Sequence, residues 1–493
     1  MKKLLYILLF FIPVVGCTNL DSEMYDVINP TIFPKTEEDA EALVTAAAYA
    51  PFWSNYWSGI FTEGEGGIQI IGDMTTDLGD CNWDDAVWTG VLVPEFTPYT
   101  GGVTQFYGYV NSISKMTLTI SRIEGVDMDP EKKARLIAEL RCGRGWMAYL
   151  LYDWFGPVPV ATLEQLENPL REEILPRPTK EWMVNYIETE LKEAAKVLPP
   201  VYAANSGDYG RMHAGLAHTL LMKLYMHEGR WSDAVACGRE LMKADYGYAL
   251  QTNYEDIFTL ENERNSEIIW ACQEKRDICE SMWLAHVLPS QYITKNENIQ
   301  KWNGYRVPWA FYHTFEAQDK RLKVLVGEFT DAEGTVYNEA NPGTGNEMTL
   351  GALPVKYGED PNATGEGSEV DWVVYRYADV LLLMAEALVR EGNAVTSEAA
   401  ALFSDVRARA GLSRYAVGDF AGVQDFLDKI LLERGHELWF EGCRRSDLIR
   451  HGKYVEKAKE KGSVTAADHF NIMPLPSSAI TNGKGIVLQN PVY

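Results

Sequence analysis

Residues 371–393 read DWVVYRYADVLLLMAEALVREGN and predict the most regular helix of the chain. Their apolar side chains recur at steps of three and four residues, which places them in one stripe along a helix. The stripe consists of Leu381, Met384, Ala385 and Leu388. Gly392 followed by Asn393 is a helix end signal.

A related segment occurs earlier, where residues 217–229 read AHTLLMKLYMHEG. When the two segments are aligned on their glycines, Leu220 falls on Leu383 and Glu228 on Glu391. The spacing from Gly229 to Ala234 is typical of the turn and second helix of a tetratricopeptide repeat. The repetition predicts a mainly α fold with a tetratricopeptide-like scaffold of helix pairs.

Helical periodicity and capping signals predict the remaining scaffold. Thr36 and Asp129 are expected N-caps, and Pro130 suits the first position of a helix. Further helices are predicted over 36–50, 105–123, 129–155, 178–198, 210–228, 232–243, 396–410 and 419–442. Between them, residues 52–102 and 245–370 are loop-rich, and long irregular segments in compact proteins are frequently functional.

The N-terminus has the pattern of a bacterial lipoprotein signal. Two lysines precede an apolar run over 4–15, and Gly16 stands directly before Cys17. The run is too short to span a bilayer. We therefore expect a signal peptide over 1–16 and lipidation at Cys17, with ordinary secretion as the alternative.

These signals divide the chain into four segments. After the signal peptide we expect a lipidated cysteine and tether over 17–35, then folded regions over 36–244 and 245–493 that form one compact body. The lipid would anchor the protein to a membrane without spanning it.

The charge and the cysteines limit the functional classes. Net charge is −25, from 45 Lys and Arg against 70 Asp and Glu, and this acidity disfavours nucleic acid as a partner. The six cysteines after Cys17 show no zinc-site spacing. They are Cys81, Cys142, Cys237, Cys272, Cys279 and Cys443. A disulfide between Cys272 and Cys279 stays open.

Motifs for catalysis are absent from the sequence, with no GxSxG, HExxH, GxxxxGK[ST] or strand-following GxGxxG. The best catalytic candidates are Glu433, Glu437 and Glu441, which we place on one helix. The spacing of neighbouring carboxylates on a helix is close to that of the two catalytic carboxylates of a retaining glycosidase. Glu433 and Glu437 would be that pair. Arginines interleaved with the acids favour a structural ion-pair network instead.

No cofactor is expected. Whether the chain binds a structural calcium ion is not decided by the sequence. Asp80, Asn82 and Asp84 match positions 1, 3 and 5 of a calcium-binding loop. Asp85 occupies the glycine position and Val91 the position of the bidentate glutamate, so the segment is not an EF-hand. An irregular site is the only calcium site that these residues allow.

The aromatic loops are the strongest functional feature. Indole faces stack on the apolar faces of sugars, while nearby polar groups bind hydroxyls. The expected stacking residues are Trp83, Trp88, Trp283, Trp302 and Trp309. The expected polar residues are Asp73, Asp77 and Asn82. The alternative for each tryptophan is an ordinary place in the core.

The order of several motifs resembles the SusD/RagB family of surface nutrient-binding lipoproteins of Bacteroidetes. The matching stretches are 138–159, 177–179, 190–194, 375–387, 406–412, 433–448 and 489–493. Cys142 and Val492 depart from the family pattern. Because the binding loops of the family diverge, the resemblance assigns no ligand residue.

The resemblance implies a SusD-like α-α superhelix with loop-rich ligand-binding segments and no enzyme activity. It implies an outer-membrane protein, lipid-anchored and facing the cell exterior, that binds oligosaccharides for a TonB-dependent transporter of the SusC type. Some family members bind peptides, so a peptide ligand is the alternative.

Overall fold

The computed structural model describes residues 33–54, 58–171 and 173–493. Cys17, the signal peptide and most of the tether therefore lie outside the described residues. Within the described chain, no helix has both the length and the apolar character needed to cross a bilayer.

The described residues are rich in α-helix, as predicted. The helices are α1 Glu37–Val44, α2 Ile68–Met74, α3 Gly101–Thr104, α4 Val110–Glu124, α5 Pro130–Phe155, α6 Leu163–Glu167, α7 Lys180–Ala195, α8 Ala214–His227, α9 Trp231–Leu241, α10 Trp283–Val287, α11 Trp309–Tyr312, α12 Tyr377–Gly392, α13 Ser397–Arg409, α14 Val423–Glu437, α15 Arg444–Arg450, α16 Tyr454–Glu460 and α17 Ser477–Asn482. Helix α2 and the short α3 lie in the stretch that was expected to be irregular.

Short antiparallel strands connect the loop-rich segments. They are β1 Asp80–Cys81, β2 Ile268–Cys272, β3 Tyr305–Pro308, β4 Glu328–Thr330, β5 Val336–Asn338, β6 Gly351–Ala352 and β7 Trp372–Arg376. They form the sheets β1-β3-β6, β2-β7 and β4-β5. Because β1 pairs with β3, the two irregular regions of the sequence meet in one place.

Helices α4, α5, α7, α8, α9, α12 and α13 pack against one another in succession. Two of these contacts depend on glycine. A Cβ on Gly145 of α5 would lie 2.9 Å from Leu191 of α7, and one on Gly238 of α9 would lie 2.6 Å from the sulfur of Met384. The stacked pairs confirm the prediction of a mainly α fold with helix pairs.

Local signals explain where several helices begin and end. The side chains of Thr36, Asp129, Thr179 and Thr396 each accept a backbone N–H of the first helical turn that follows. Helix α12 ends at Gly392, and the next residue, Asn393, adopts the left-handed conformation at φ 46°, in agreement with the predicted end signal.

The structure corrects two predicted helix boundaries, the start of α12 and the end of α14. The WVVYR segment before α12 is β7, a buried strand rich in β-branched and aromatic residues, and it pairs with β2. Helix α14 ends at Glu437. Phe440 and Gly442 then take positive φ values of 55° and 72°, so Glu441 is not on the same helix as Glu437.

One continuous apolar core includes residues from both halves of the chain, from Ala40 to Val487. At its centre the Trp146 ring stacks on Phe52, with centroids 4.1 Å apart. Its indole N–H donates to the hydroxyl of Tyr375 at 3.0 Å. The loop-rich segments are thus packed onto the helical scaffold through shared aromatic side chains.

Candidate functional site

Two of the predicted stacking residues are buried in the core. Trp88 is 3% and Trp283 1% exposed. The Trp283 indole N–H donates to the carbonyl of Pro354 at 2.9 Å, and its ring packs against Trp372 and Phe440. Neither ring has a face open to a ligand, so the prediction is corrected for both: they are core side chains.

Asp73 and Asp77 are also structural. Asp73 is fully buried and accepts the backbone N–H groups of Gly442 and Arg444 at 3.1 and 3.2 Å. Asp77 accepts two N–H groups of the Arg444 guanidinium, both at 2.8 Å. Burial raises the pKa of Asp73 to about 7. Both carboxyls hold the start of α15, which corrects their assignment as ligand groups.

The remaining predicted residues lie at the surface around β1 and β3. Asn82, Trp83 and Trp302 are half-buried, and their neighbours Asn303 and Asn346 complete the group. We call these five residues the loop surface. The Asn82 amide donates to the carbonyls of Asn303 and Asn346 at 2.9 and 3.1 Å. The Trp83 indole N–H donates to the carbonyl of Trp302 at 3.2 Å.

A buried imidazole supports both indoles of the loop surface. His286 is 2% exposed, and its ring centroid lies 4.9 Å from that of Trp302 and 5.6 Å from that of Trp83. Burial lowers the pKa of His286 to about 4, so the ring is neutral at physiological pH. The two indoles therefore rest on a rigid, uncharged support.

Arg306 connects the loops beneath the loop surface. Its side chain is fully buried and donates to the carbonyls of Glu347 at 2.9 Å and Val287 at 2.8 Å. It also donates to the Oδ1 atom of Asn303. Burial lowers the pKa of Arg306 to about 9. One buried guanidinium thus fixes three segments relative to one another.

The glycines of the 342–349 loop allow it to wrap around the Glu347 carboxylate. That carboxylate accepts the backbone N–H of Gly345 at 2.9 Å. A Cβ on Gly343 or Gly345 would lie 2.1 or 2.6 Å from it. The same loop contacts Trp309, whose indole N–H donates to the carbonyl of Met348 at 2.9 Å. Trp309 is half-buried, so its ring remains partly open at the edge of this region.

The chemistry of the loop surface suits a neutral ligand with hydroxyl groups. It combines partly open indole rings with polar side-chain amides, and such a pairing suits the apolar faces and the hydroxyls of this kind of ligand. Exposed carboxylates at Asp84 and Asp85 follow Trp83 directly in the chain. Burial, with the Asp85 charge, raises the pKa of nearby Glu65. These acids repel anionic ligands.

The glutamates of the predicted network are buried among arginines. Glu437 is fully buried and accepts from Arg321, Arg376 and Arg409. Burial opposes its ionisation, but the three guanidinium groups outweigh burial and lower the pKa of Glu437. Glu433 is 1% exposed and accepts from Arg321 at 2.7 Å. The carboxylates are inaccessible, so the ion-pair network is confirmed and a glycosidase role for them is excluded.

The calcium and disulfide alternatives find no support in the geometry. Among the residues that the structure describes, no group of three or more His, Cys, Asp or Glu side chains is placed to hold a metal ion. Cys272 and Cys279 are not bonded to each other, and their thiols donate to the carbonyls of Phe52 and Gln273 at 3.2 and 3.3 Å. The thiols of Cys142, Cys237 and Cys443 are buried.

A cavity of about 510 Å³ lies elsewhere, between α5, α8 and α15. Its charged groups are already paired, as Lys223 with Asp379 at 2.6 Å and Arg445 with Asp153 at 3.0 Å. No residue of the loop surface lines this cavity. The partly exposed tryptophans and the cavity are therefore separate features.

Comparisons with known proteins find relatives of similar sequence. The sequence profile of the SusD family matches residues 266–493. The SusD-like protein P2 of Formosa agariphila is 22% identical, over 100% of this chain and 99% of its own. The C-terminal part of the chain, residues 266–493, therefore matches the SusD family. The starch-binding protein SusD of Bacteroides thetaiotaomicron, another relative, is 22% identical over 77% of this chain and 76% of its own.

Solved structures of the SusD family share the fold. The surface glycan-binding protein A from Bacteroides thetaiotaomicron, solved in complex with laminarihexaose, superposes with a TM-score of 0.73 at 20% identity. The match covers 92% of this chain and 100% of that one. The helical scaffold with its attached loops is thus the fold of this family.

Sequence reasoning missed the residues that organise the site, namely His286, Asn303, Arg306 and Asn346. Asn346 lies in the NPGTGN stretch, which reads only as a turn. Arg306 follows an aromatic run without any carboxylate at helical spacing. The one sequence signal for a buried guanidinium is that Arg306 stands among aromatic residues, so its partners can be backbone carbonyl groups.

Proposed function

We propose that this chain is a non-catalytic cell-surface lipoprotein that binds neutral oligosaccharides on its loop surface. In this proposal it delivers them to an outer-membrane TonB-dependent transporter of the SusC type. The observation that carries it is the arrangement of Trp83 and Trp302, two partly open indoles bordered by side-chain amides, with the Trp83 indole N–H donating to the backbone carbonyl of Trp302.

The geometry supports a sugar ligand for physical reasons. A sugar ring presents an apolar C–H face, which stacks on an indole, and a rim of hydroxyls, which bond to amides. The amides of Asn82 and Asn303 are held by backbone carbonyls, so little side-chain entropy is lost on binding. The names of the starch-binding relative and the laminarihexaose complex agree with this ligand class.

The cellular role is supported by the sequence. Gly16 and Cys17 follow a short apolar run, which favours lipidation at Cys17 and attachment to the outer membrane. The acidic body, at a net charge of −25, suits a surface exposed to the medium. The SusC-type partner rests on the resemblance to the SusD/RagB family.

Affinity electrophoresis against a panel of polysaccharides tests the proposal. The panel includes neutral polymers such as laminarin and starch, anionic polymers such as polygalacturonate and a sulfated galactan, and gels without polymer. We expect retardation by at least one neutral polymer and weaker or no retardation by the anionic ones.

The peptide alternative has its own readout. Mass spectrometry of the protein purified from its native membrane detects co-purified ligands. Retardation by no polymer, together with a co-purified peptide, would replace the glycan assignment by the peptide one. Release of shortened oligosaccharides during incubation would contradict the non-catalytic assignment.

A further inference from the structure

A second cavity, of about 230 Å³, is formed by the α7–α8 connection, the segment after α9 and strand β2. Its walls include Tyr202, Tyr209, Tyr246, Tyr248 and Trp270. No residue of the loop surface lines it. The cavity is smaller than the roughly 300–1,000 Å³ of sites for drug-sized ligands, which suits a ligand of one ring.

Two tyrosine hydroxyls in this cavity are buried without a hydrogen-bond partner, those of Tyr202 and Tyr248. A buried polar group left in this state destabilises the fold unless a ligand satisfies it. The Tyr248 hydroxyl lies so close to α8 that a Cβ on Gly215 would be 2.2 Å from it. Burial raises the pKa of Tyr202 to about 12 and also raises that of Tyr248. Both groups are therefore protonated donors that need an acceptor.

The tyrosine rings are held in place by their neighbours. Tyr248 is stacked between Tyr246 and Tyr377, with centroids 5.9 and 5.8 Å away. His213 uses both ring nitrogens, one toward the carbonyl of Ile269 and one for the backbone N–H of Leu216. The imidazole therefore does not satisfy either free hydroxyl, and the aromatic walls are rigid.

The charge of the cavity differs from that of the chain as a whole. None of its lining residues is Asp or Glu, although the net charge of the chain is −25. Arg264 supplies the one guanidinium of the lining. It lies over the Tyr209 ring at 4.9 Å and donates to the carbonyl of Ala204 at 3.1 Å. In the described part of the chain Arg264 takes part in no ion pair within 4.0 Å, although its charge acts on the carboxyls of Glu263 and Asp371.

We propose that this cavity binds a single sugar ring that carries a carboxylate, the class of the uronic acids. The carboxylate pairs with Arg264, whose planar guanidinium suits carboxylate geometry. The ring packs against the aromatic walls, and its oxygens accept from the hydroxyls of Tyr202 and Tyr248. The site is independent of the proposed neutral-glycan surface.

Ligand-observed saturation-transfer NMR on the full folded chain tests this assignment. The probes are D-glucuronate and D-galacturonate, with D-glucose as the neutral sugar and benzoate as the ring carboxylate without hydroxyls. The variants are the double substitution Tyr202→Phe with Tyr248→Phe, and Arg264→Gln. Tyr377→Phe is the matched control, because Tyr377 belongs to the same stack and does not line the cavity.

We expect saturation transfer from the parent chain to at least one uronate. The affinity for that uronate should be at least tenfold weaker in the double variant and in Arg264→Gln. Tyr377→Phe and the loop variant Trp302→Ala should leave that affinity unchanged. Thermal unfolding of the Phe variants should show Tm equal to or above that of the parent, because only unpaired hydroxyls are removed. Uronate binding that is absent, or unaffected by these variants, overturns the proposal. Equal binding of D-glucose that is weakened by the same cavity variants, or binding of benzoate alone, overturns the ligand class.

Discussion

The indole N–H of Trp83 donates to the backbone carbonyl of Trp302 at 3.2 Å, across 219 residues of sequence. The Trp83 ring also packs on Gly304, where a Cβ would lie 2.4 Å from the ring. Trp302 is thereby held by a residue that does not itself need to touch the ligand. The loop surface is one unit made from two distant parts of the chain.

Gly304→Ala tests whether that contact positions the site. The added methyl has no room between Trp83 and the carbonyl of His286, 2.7 Å away, so the Trp83 ring must move. We expect unfolding free energy to fall by about 1–3 kcal/mol, as for overpacked sites, and glycan affinity to fall several-fold. Gly101→Ala is the control, because a Cβ at Gly101 would have no heavy atom within 4 Å. Unchanged affinity in Gly304→Ala would show that Trp83 does not position Trp302.

Arg306→Met tests the role of the buried guanidinium. The variant leaves the carbonyls of Glu347 and Val287 without their donor, so the loops beneath the site should separate. We expect more than tenfold weaker glycan binding by calorimetry, with the helical circular dichroism signal retained. Arg445→Met is the matched control, since Arg445 is equally buried but belongs to the helical scaffold. It should lower Tm without changing affinity, and an equal loss of affinity in both variants would contradict a local role for Arg306.

Asp371→Asn should change how stability depends on pH. Burial, with the Glu263 charge, raises the pKa of Asp371 to about 7. Between about pH 4 and 7 the folded chain therefore keeps a proton that the unfolded chain releases, and this group makes unfolding free energy fall as pH rises. Asparagine has no such proton, so the stability of the variant relative to the parent should rise by about 2–4 kcal/mol from pH 4 to 8.

Urea unfolding at a series of pH values measures this difference. Asparagine can still accept the backbone N–H of Glu274, which now donates to Asp371 at 2.9 Å. The exposed Asp245 provides the control variant Asp245→Asn. Parallel stability curves for the parent and Asp371→Asn would contradict a raised pKa at Asp371.

Glu437→Gln tests the structural reading of the buried network. Removing one carboxylate leaves the guanidinium groups of Arg376 and Arg409 undercompensated, which costs about 3–5 kcal/mol for buried ion pairs. Urea unfolding should show that loss, while exposed Glu391→Gln should be neutral. Hydrolysis of an oligosaccharide by the parent, lost in Glu437→Gln, would revive a catalytic role.

Local sequence signals predicted much of the scaffold. The N-caps at Asp129 and Thr396 and the end of α12 before Asn393 depend on a few adjacent residues, so they are visible in the sequence. The strand WVVYR was predicted as helix because its partner β2 is about a hundred residues away in the chain. Tertiary pairing decided its conformation.

The site was less accessible to prediction for a similar reason. Trp88, Trp283 and Trp302 occur in similar irregular sequence, and only tertiary packing separates the buried rings from the partly open one. Arg306 binds carbonyl groups, and its partners Val287 and Glu347 leave no compositional pattern. The loop-rich segments 52–102 and 245–370 are expected to be functional from the sequence, but the bonds that connect them are not visible in it.

The most direct test of the proposed glycan site is calorimetric titration of a retained oligosaccharide into the parent, Trp302→Ala and Trp182→Ala. Trp182 is 46% exposed on α7 and stacks on Tyr186, so it is an open indole of the helical scaffold and not of the loop surface. Loss of a stacking tryptophan typically costs about 2 kcal/mol or more. We predict at least tenfold weaker binding in Trp302→Ala and unchanged binding in Trp182→Ala. Unchanged affinity in Trp302→Ala would contradict the assignment of the loop surface as the ligand site.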